Sequence, residues 1–321
     1  MPSNLVPHEN GPFRDTIKQL APNRWLLGSS LLCERHEPAD ISCAWTDIDG
    51  SGYSLQTFDE PVRSWTNPDP EGPIVCVRTF YSSSVWRIGN SAYFKSCLWS
   101  PEIETEATTI EFVQQNFPNV PVPSIMKHYI DEKGQFSHLL MRTMPGEVLN
   151  TAWESLSEIE QQEVAHQVAD IVKILSSLSR DAVVSATGKR VMEPYLMKRG
   201  TPQPTHFDCF LDPDCGSNFE TIWGKEQNEF VFYHQDLGPT NIMVERRQEK
   251  VVVSGILDWA GVGFLPKGFI ATKPSFSPGF EFEWGCAGDR RQWMIMLRDA
   301  LIGNGFQWFA YDWAEWFGLE T

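Results

Sequence analysis

The chain has 321 residues, of which 41% are hydrophobic and 21% charged, so it can bury a sizeable core and is long enough for two lobes. Its formal net charge of −16 at pH 7 excludes non-specific nucleic-acid binding, because a phosphate backbone is repelled over most of such a surface. An acidic field favours a cationic small molecule instead. There is no apolar run of the roughly 18 residues that a membrane span needs, and "MPSNLVPHENGPF" has neither the basic start nor the apolar stretch of a signal peptide. A soluble, cytoplasmic protein without a membrane partner is expected. The seven cysteines are odd in number and scattered, with no C-x-x-C pair, so free thiols are expected rather than a zinc site or disulfides.

In chain order, "PFRDTIKQL" and "NRWLLGSSLLCER" read as two short helices. "ISCAWTDIDGSGYSLQTF" follows, with a D-G and an S-G around which alternating apolar residues predict a hairpin. Beyond the loop "SWTNPDPEGP", "GPIVCVRTFY" and "SSVWRIGNSAYFKSCLW" predict further strands. In "ETEATTIEFVQQNFP", Ala107, Ile110 and Val113 share one face of a helix, which "PNVPVP" must end. "SIMKHYIDEKGQFSHLLMRTM" returns to strands, with Glu132, Lys133 and Gly134 at the turn and a hinge near its end.

From residue 150 the pattern is helical. Ser157 and Glu160 stand in capping-box spacing ahead of Val164, Val168, Ile171, Leu175 and Leu178, the apolar face of a long helix. Residues 195 to 230 read as a loop-rich insertion, "VVVSGILDW" as a buried strand ending in an acid, and the aromatic tail with Trp293, Trp308, Trp313 and Trp316 as core-packing helices. Strands and one helix first, helices afterwards, make an α+β chain of two lobes.

Between two apolar runs lies "FYHQDLGPTNIMV", where His234, Asp236 and Asn241 interrupt the pattern. Phosphoryl transfer needs a carboxylate to orient or deprotonate the attacking hydroxyl, and oxygen ligands that hold Mg²⁺ against nucleotide phosphates. H-x-D-x-x-x-x-N supplies both, and Asp258, at the end of "GILDW", offers a second metal carboxylate. The apolar pattern breaks where oxygen ligands must be presented.

"HQDLGPTNIMV" followed by "GILDW" resembles the aminoglycoside phosphotransferase-like kinases, particularly the fungal phosphotransferase-like proteins. The resemblance extends through "SVWRIGNSAYFK", "EATTIEFV", "PVPSI", "LLMRTMPGEVLNTAW" and "FIATKP", roughly residues 70 to 275. It implies a two-lobed protein-kinase-like fold, with a β-rich nucleotide-binding lobe over residues 1–141 and a helical catalytic and acceptor-binding lobe over 142–321. It also implies ATP and Mg²⁺, and a small-molecule acceptor whose hydroxyl receives the γ-phosphoryl group.

By the same resemblance Asp236 is the catalytic base, and Asn241 and Asp258 are the Mg²⁺ ligands. Lys95 meets the α- and β-phosphates, Glu106 pairs with Lys95, and Met141 to Thr143 form the hinge beside the adenine. His234, within the catalytic motif, orients the loop by hydrogen bonds. "TFYSSSVWRIG" has no G-x-G-x-x-G, so the phosphate loop relies on Ser82, Ser83 and Ser84. Asp208, Asp212, Asp214 and Glu220 crowd three rings, Phe207, Phe210 and Phe219, which fits an amine-bearing or aromatic acceptor. The competing readings are an ATP-binding pseudokinase scaffold and a biosynthetic enzyme that reuses the fold for another reaction.

Overall fold

A computed structural model describes residues 14–80, 82–197, 211, 219–283 and 288–319. The chain divides into two compact units, residues 1–100 with 124–143, and residues 101–123 with 144–321.

In the first unit, strands β1 (Ile17–Ala21), β2 (Arg24–Leu27), β3 (Leu31–His36), β4 (Trp45–Thr46) and β5 (Gly52–Thr57) form one sheet in the order β1-β2-β3-β5-β4. A second sheet orders β6 (Ile74–Thr79), β7 (Ser83–Ile88), β8 (Ala92–Leu98), β9 (Ile125–Asp131) and β10 (Phe136–Arg142) as β6-β7-β8-β10-β9. Their facing side chains share one core, in which Trp25, Leu27, Cys33 and Tyr53 of the first sheet meet Trp86, Ile88, Phe94 and Leu140 of the second.

The two short helices expected before residue 36 are strands instead, apart from one 3-10 turn at Arg14–Thr16. In "NRWLLGSSLLCER" the apolar residues come in runs that suit a buried strand as well as a helix. Gly28, at φ +59, turns the chain so that Leu27 pairs with Leu31. A Cβ on Gly28 would meet the Tyr129 hydroxyl at 2.3 Å and His138 Nε2 at 2.7 Å, so the turn is fitted against residues a hundred positions away. The hairpin expected around Gly50 is present, with Trp45 opposite Tyr53 and Thr46 opposite Gly52.

In the second unit, α1 (Glu106–Asn116) buries Ala107, Ile110 and Val113, as their spacing required, and is N-capped by Thr105. Strand β11 (Glu147–Val148) and the short α2 (Leu149–Ala152) lead to α3 (Glu158–Leu175), which opens with the expected capping box and buries Val164, Val168, Ile171 and Leu175. Then come β12 (Ser179–Arg180), α4 (Glu220–Gln227, interrupted at Gly224), β13 (Phe230–Tyr233), β14 (Ile242–Arg247), β15 (Lys250–Ile256), β16 (Gly263–Pro266), α5 (Gln292–Gly303) and α6 (Ala310–Phe317). Among the described residues these strands form two three-stranded sheets, β11-β14-β15 and β12-β13-β16.

The aromatic tail packs inward only in part: Trp308, between the two helices, is exposed and Trp316 is half-buried. Trp293 is fully buried, Trp313 nearly so, and Phe276 stacks on Trp313 with centroids 3.5 Å apart. No helix among the described residues is long and apolar enough to cross a membrane.

The Ser157 hydroxyl accepts the Glu160 N–H, and Glu160 returns a carboxylate to the Ser157 N–H at 2.8 Å. Ser157→Ala should therefore cost about 1 kcal/mol and lower the thermal midpoint by roughly 2–4 °C. An unchanged calorimetric midpoint would show that α3 does not depend on its cap.

Candidate active site

All four residues of β13 are buried, and the strand delivers its chain directly into His234. The His234 ring is fully buried, edge-on to Trp259 with centroids 4.8 Å apart. Its Nδ1 accepts the backbone N–H of Asp236 at 3.2 Å, so Nε2 carries the hydrogen and donates to the Leu257 carbonyl at 3.1 Å. Burial holds its pKa down at about 4, which keeps the ring neutral. His234 thus ties the loop after β13 to the end of β15.

Further bonds hold the same loop from other sides. Gln235 Nε2 donates to the carbonyls of Met192 at 2.8 Å and Gly261 at 2.9 Å. The Trp293 indole donates to the Leu237 carbonyl at 2.9 Å, and the Asn150 N–H donates to the Pro239 carbonyl at 2.9 Å. A Cβ on Gly238 would lie 1.9 Å from the Gly279 carbonyl oxygen, so only glycine lets that segment pack so closely.

Asp236 and Asn241 form one unit. The Asn241 amide nitrogen donates to Asp236 Oδ2 at 3.0 Å and to the Asp236 carbonyl at 2.9 Å, which leaves its amide oxygen as the ligand atom it can offer. Asp258 follows two residues after the end of β15, at φ +60. A left-handed backbone costs a non-glycine residue about 1–2 kcal/mol, and here its neighbours impose it. On one side the Leu257 N–H donates to the Asn241 carbonyl at 2.8 Å. On the other, the Trp259 N–H donates to Glu106 Oε1 at 3.1 Å, and the Trp259 indole donates to the Ile256 carbonyl at 2.8 Å. The kink places the Asp258 carboxylate near enough to Asp236 to oppose its ionisation. Burial is the larger cause raising the Asp236 pKa, and the ammonium of Lys273 works against it.

The structure therefore brings His234, Asp236, Asn241 and Asp258 together, with Glu106 joined to them through Trp259. Glu106 is buried at the start of α1. Of its acidic neighbours, Glu104 is taken by Ser185 Oγ at 3.0 Å and the Thr187 N–H at 3.1 Å, and Glu102 pairs with Arg190.

The remaining expected residues lie in the first unit. Lys95 is buried on β8, opposite Val85 and Leu139. Met141 pairs with Tyr93 on one side and Ile125 on the other, while the Thr143 N–H and hydroxyl donate to the carbonyls of Ser91 and Asn90. Ser82 and Ser83 are half-buried. The Ser84 hydroxyl is fully buried against Thr16 Oγ1 at 3.0 Å and the Trp86 indole at 3.2 Å. Phe207, Asp208, Phe210, Asp212 and Asp214 lie outside the described residues; Phe219 is buried against Trp223 and Trp316, and Glu220 is exposed.

Sequence reasoning missed Glu193 and Lys273. Lys273 Nζ lies 2.5 Å from Glu193 Oε2, both side chains almost wholly buried. Lys273 stands in "FIATKP", noted only for its resemblance, although a lysine closing an apolar run was a signal; Glu193, in a loop without periodicity, carried none.

A carboxylate bonded to an amide, on a loop tied down by a neutral buried histidine, thus lies close to a second carboxylate on a forced kink. The family model "Phosphotransferase enzyme family" matches residues 84–266, and the chain belongs to that family. No curated protein matches it in sequence. Solved structures similar to it include the GDP and kanamycin complex of APH(2")-IIia, at 10% identity and TM-score 0.45, over 71% of this chain and 76% of that one. Another is a thermostable mutant of aminoglycoside phosphotransferase APH(4)-Ia in ternary complex with AMP-PNP and hygromycin B, at 15% identity and TM-score 0.42, over 76% and 90%. A third is APH(3'')-Id from Streptomyces rimosus, at 15% identity and TM-score 0.39, over 71% and 92%.

Two outcomes follow from this geometry. Gly238→Ala should destabilise the protein by roughly 1–3 kcal/mol, read by urea denaturation, because the Gly279 backbone must withdraw. The buried histidines His234 and His138, both held at about 4 when folded, take up protons on unfolding. Stability should therefore fall as the pH drops from about 6.5, the unfolded value, toward about 4. Asp236, raised by burial, acts with the opposite sign, so Asp236→Asn should steepen that fall; a shallower one would contradict the assigned shift.

Proposed function

We propose that the chain is a cytoplasmic phosphotransferase that moves the γ-phosphoryl group of ATP, with Mg²⁺, to a hydroxyl of an amine-bearing or aromatic small molecule. The observation that carries this reading is the convergence of Asp236, Asn241 and Asp258 on a scaffold fixed by His234. The free thiols of Cys33, Cys43, Cys76 and Cys97 support a reducing location.

The donor set suits Mg²⁺, a hard cation that takes one or two carboxylates and completes its shell with phosphate oxygens and water. Asp258 and the amide oxygen of Asn241 would hold it. When bound, it neutralises charge developing on the β- and γ-phosphates. Lys95 would meet the α- and β-phosphates and Glu106 would orient Lys95. Ser82 and Ser83 would line the phosphate loop, with Ser84 as their buried support, and Met141 to Thr143 would lie beside the adenine.

Asp236 performs the proton step. Its carboxylate accepts the acceptor's hydroxyl proton as that oxygen bonds to the γ-phosphorus and the bond from phosphorus to the bridging oxygen breaks, ADP leaving with the electron pair. A partly desolvated carboxylate whose pKa is raised is a better base for this than a fully solvated one.

Calorimetric titration with Mg·ATP tests the metal assignment. Asp258→Gly accepts the left-handed backbone and removes the carboxylate, so it should keep the wild-type circular dichroism spectrum and lose Mg²⁺-dependent nucleotide binding. Unchanged affinity would remove Asp258 from the metal site. Asp236→Asn should still bind Mg·ATP but transfer roughly 10²–10⁴-fold more slowly to any acceptor found by screening.

A further inference from the structure

Away from the candidate active site, the sheet β1-β2-β3-β5-β4 carries a second group of side chains with metal-binding chemistry. His36 is the last residue of β3, and Asp40 and Cys43 lie in the loop that runs from β3 to β4. Both strands pair with β5, one on each side, so Gly52 stands opposite His36 and also opposite Thr46. The loop must therefore cross β5. It does so at Gly52, where a Cβ would lie 2.3 Å from Cys43 Sγ and 2.7 Å from the Ala39 Cβ, so only glycine lets the loop lie down on the strand. The Ala39 N–H donates to the Gly50 carbonyl at 3.1 Å and the Ala44 N–H to the Tyr53 carbonyl at 2.7 Å, which fixes the crossing at both ends.

The crossing brings three different ligand atoms together. His36 Nδ1 lies 3.0 Å from Asp40 Oδ2, Cys43 Sγ lies 3.8 Å from Asp40 Oδ1, and one atom from each residue falls within 4.8 Å of the other two. Around a tetrahedral zinc ion, with bonds of about 2.0–2.3 Å, neighbouring ligand atoms stand roughly 3.3–3.7 Å apart. Side-chain rotations of about 1 Å close the set. The ligands are also oriented from behind, as metal ligands usually are. His36 Nε2 meets the buried Ser54 hydroxyl at 2.8 Å, and Asp40 Oδ1 accepts the Ser42 N–H at 2.8 Å. The side chains of His36 and Asp40 are 28% and 50% exposed, which leaves an ion a way in and a fourth position for water. An ion pair of His36 with Asp40 at such exposure contributes little by itself, and it makes no use of the thiol.

We propose that His36 Nδ1, Asp40 and Cys43 Sγ form a zinc site, with water as the fourth ligand, that clamps the loop between β3 and β4 onto β5. Imidazole with thiolate selects zinc over magnesium or calcium, which prefer oxygen ligands. On binding, the Cys43 thiol gives its proton to solvent. The ring hydrogen of His36 sits on Nε2, donated to Ser54, so that Nδ1 offers its lone pair. The ligands follow one another as H-x-x-x-D-x-x-C, a spacing that contains no C-x-x-C pair, and the thiol expected to be free acquires a partner. The site is independent of the phosphotransferase reading.

The test uses the full chain, reduced, stripped of metal with a chelator and kept in excess Mg²⁺ so that oxygen-only sites are filled. Co²⁺ is added as a coloured substitute for zinc. One equivalent should produce a thiolate-to-cobalt charge-transfer band and the strong visible absorption of a four-coordinate ion, and Zn²⁺ should remove both by displacement. Cys43→Ser should lose the charge-transfer band, whereas Cys76→Ser should keep it. His36→Gln and Asp40→Asn should each weaken Co²⁺ about tenfold or more, at least the effect of losing a ligand's supporting hydrogen bond. Alkylation of the wild type, with the modified cysteines located by mass spectrometry, needs no variant to fold: Zn²⁺ should suppress it at Cys43 and leave the exposed Cys76 unaffected. A wild type without the charge-transfer band overturns the proposal, as does a band that survives in Cys43→Ser. Undiminished affinity in either His36→Gln or Asp40→Asn, or alkylation of Cys43 at one rate with and without Zn²⁺, overturns it as well.

Discussion

The site depends on one buried, neutral imidazole. His234 accepts the Asp236 N–H with one nitrogen and donates to the Leu257 carbonyl with the other, so a single rigid ring fixes the spacing between the loop carrying Asp236 and Asn241 and the turn carrying Asp258. The arrangement works only while the ring has one donor and one acceptor. A charged imidazolium would present two donors and lose the Asp236 N–H, and burial prevents this by holding the pKa at about 4.

Around that ring the second unit satisfies its polar groups with side chains from distant elements. Gln235 reaches Met192 and Gly261, Trp293 reaches Leu237, and Glu106 reaches Trp259. Each bond is modest, worth about 1 kcal/mol net, but together they hold Asp258 in a left-handed conformation that an isolated chain would leave. The small conformational cost is local, whereas the bonds that offset it come from α1, from Asn241 just before β14 and from the end of β15.

The buried charges follow the same logic. Glu193 and Lys273 are almost wholly buried, whereas Asp236 and Asp258 are half-buried, and Lys273 and Asp258 act in opposite directions on the ionisation of Asp236. Ser84 shows the opposite case in the first unit. Its hydroxyl is spent on Thr16 and the Trp86 indole, which makes it part of a core that joins two sheets.

Several features were legible in the sequence because their causes are local. The capping box of Ser157 and Glu160, the spacing of Ala107, Ile110 and Val113, the turn at Gly50 and the short interval from His234 to Asn241 all act within a few residues. The first three strands of the N-terminal sheet were not legible. Runs such as Trp25 to Leu27 suit either period, and β3 is fixed by its partner β5, more than a dozen residues further on. Nor could spacing reveal that Lys273 and Glu193, eighty positions apart, would meet in a buried pair. By itself the sequence determined the motif of His234, Asp236, Asn241 and Asp258 and the order in which they appear. Only the tertiary structure decided which backbone is forced into a kink, which hydroxyl is buried and which glutamate Lys273 meets, because those outcomes depend on packing between elements that local sequence does not encode.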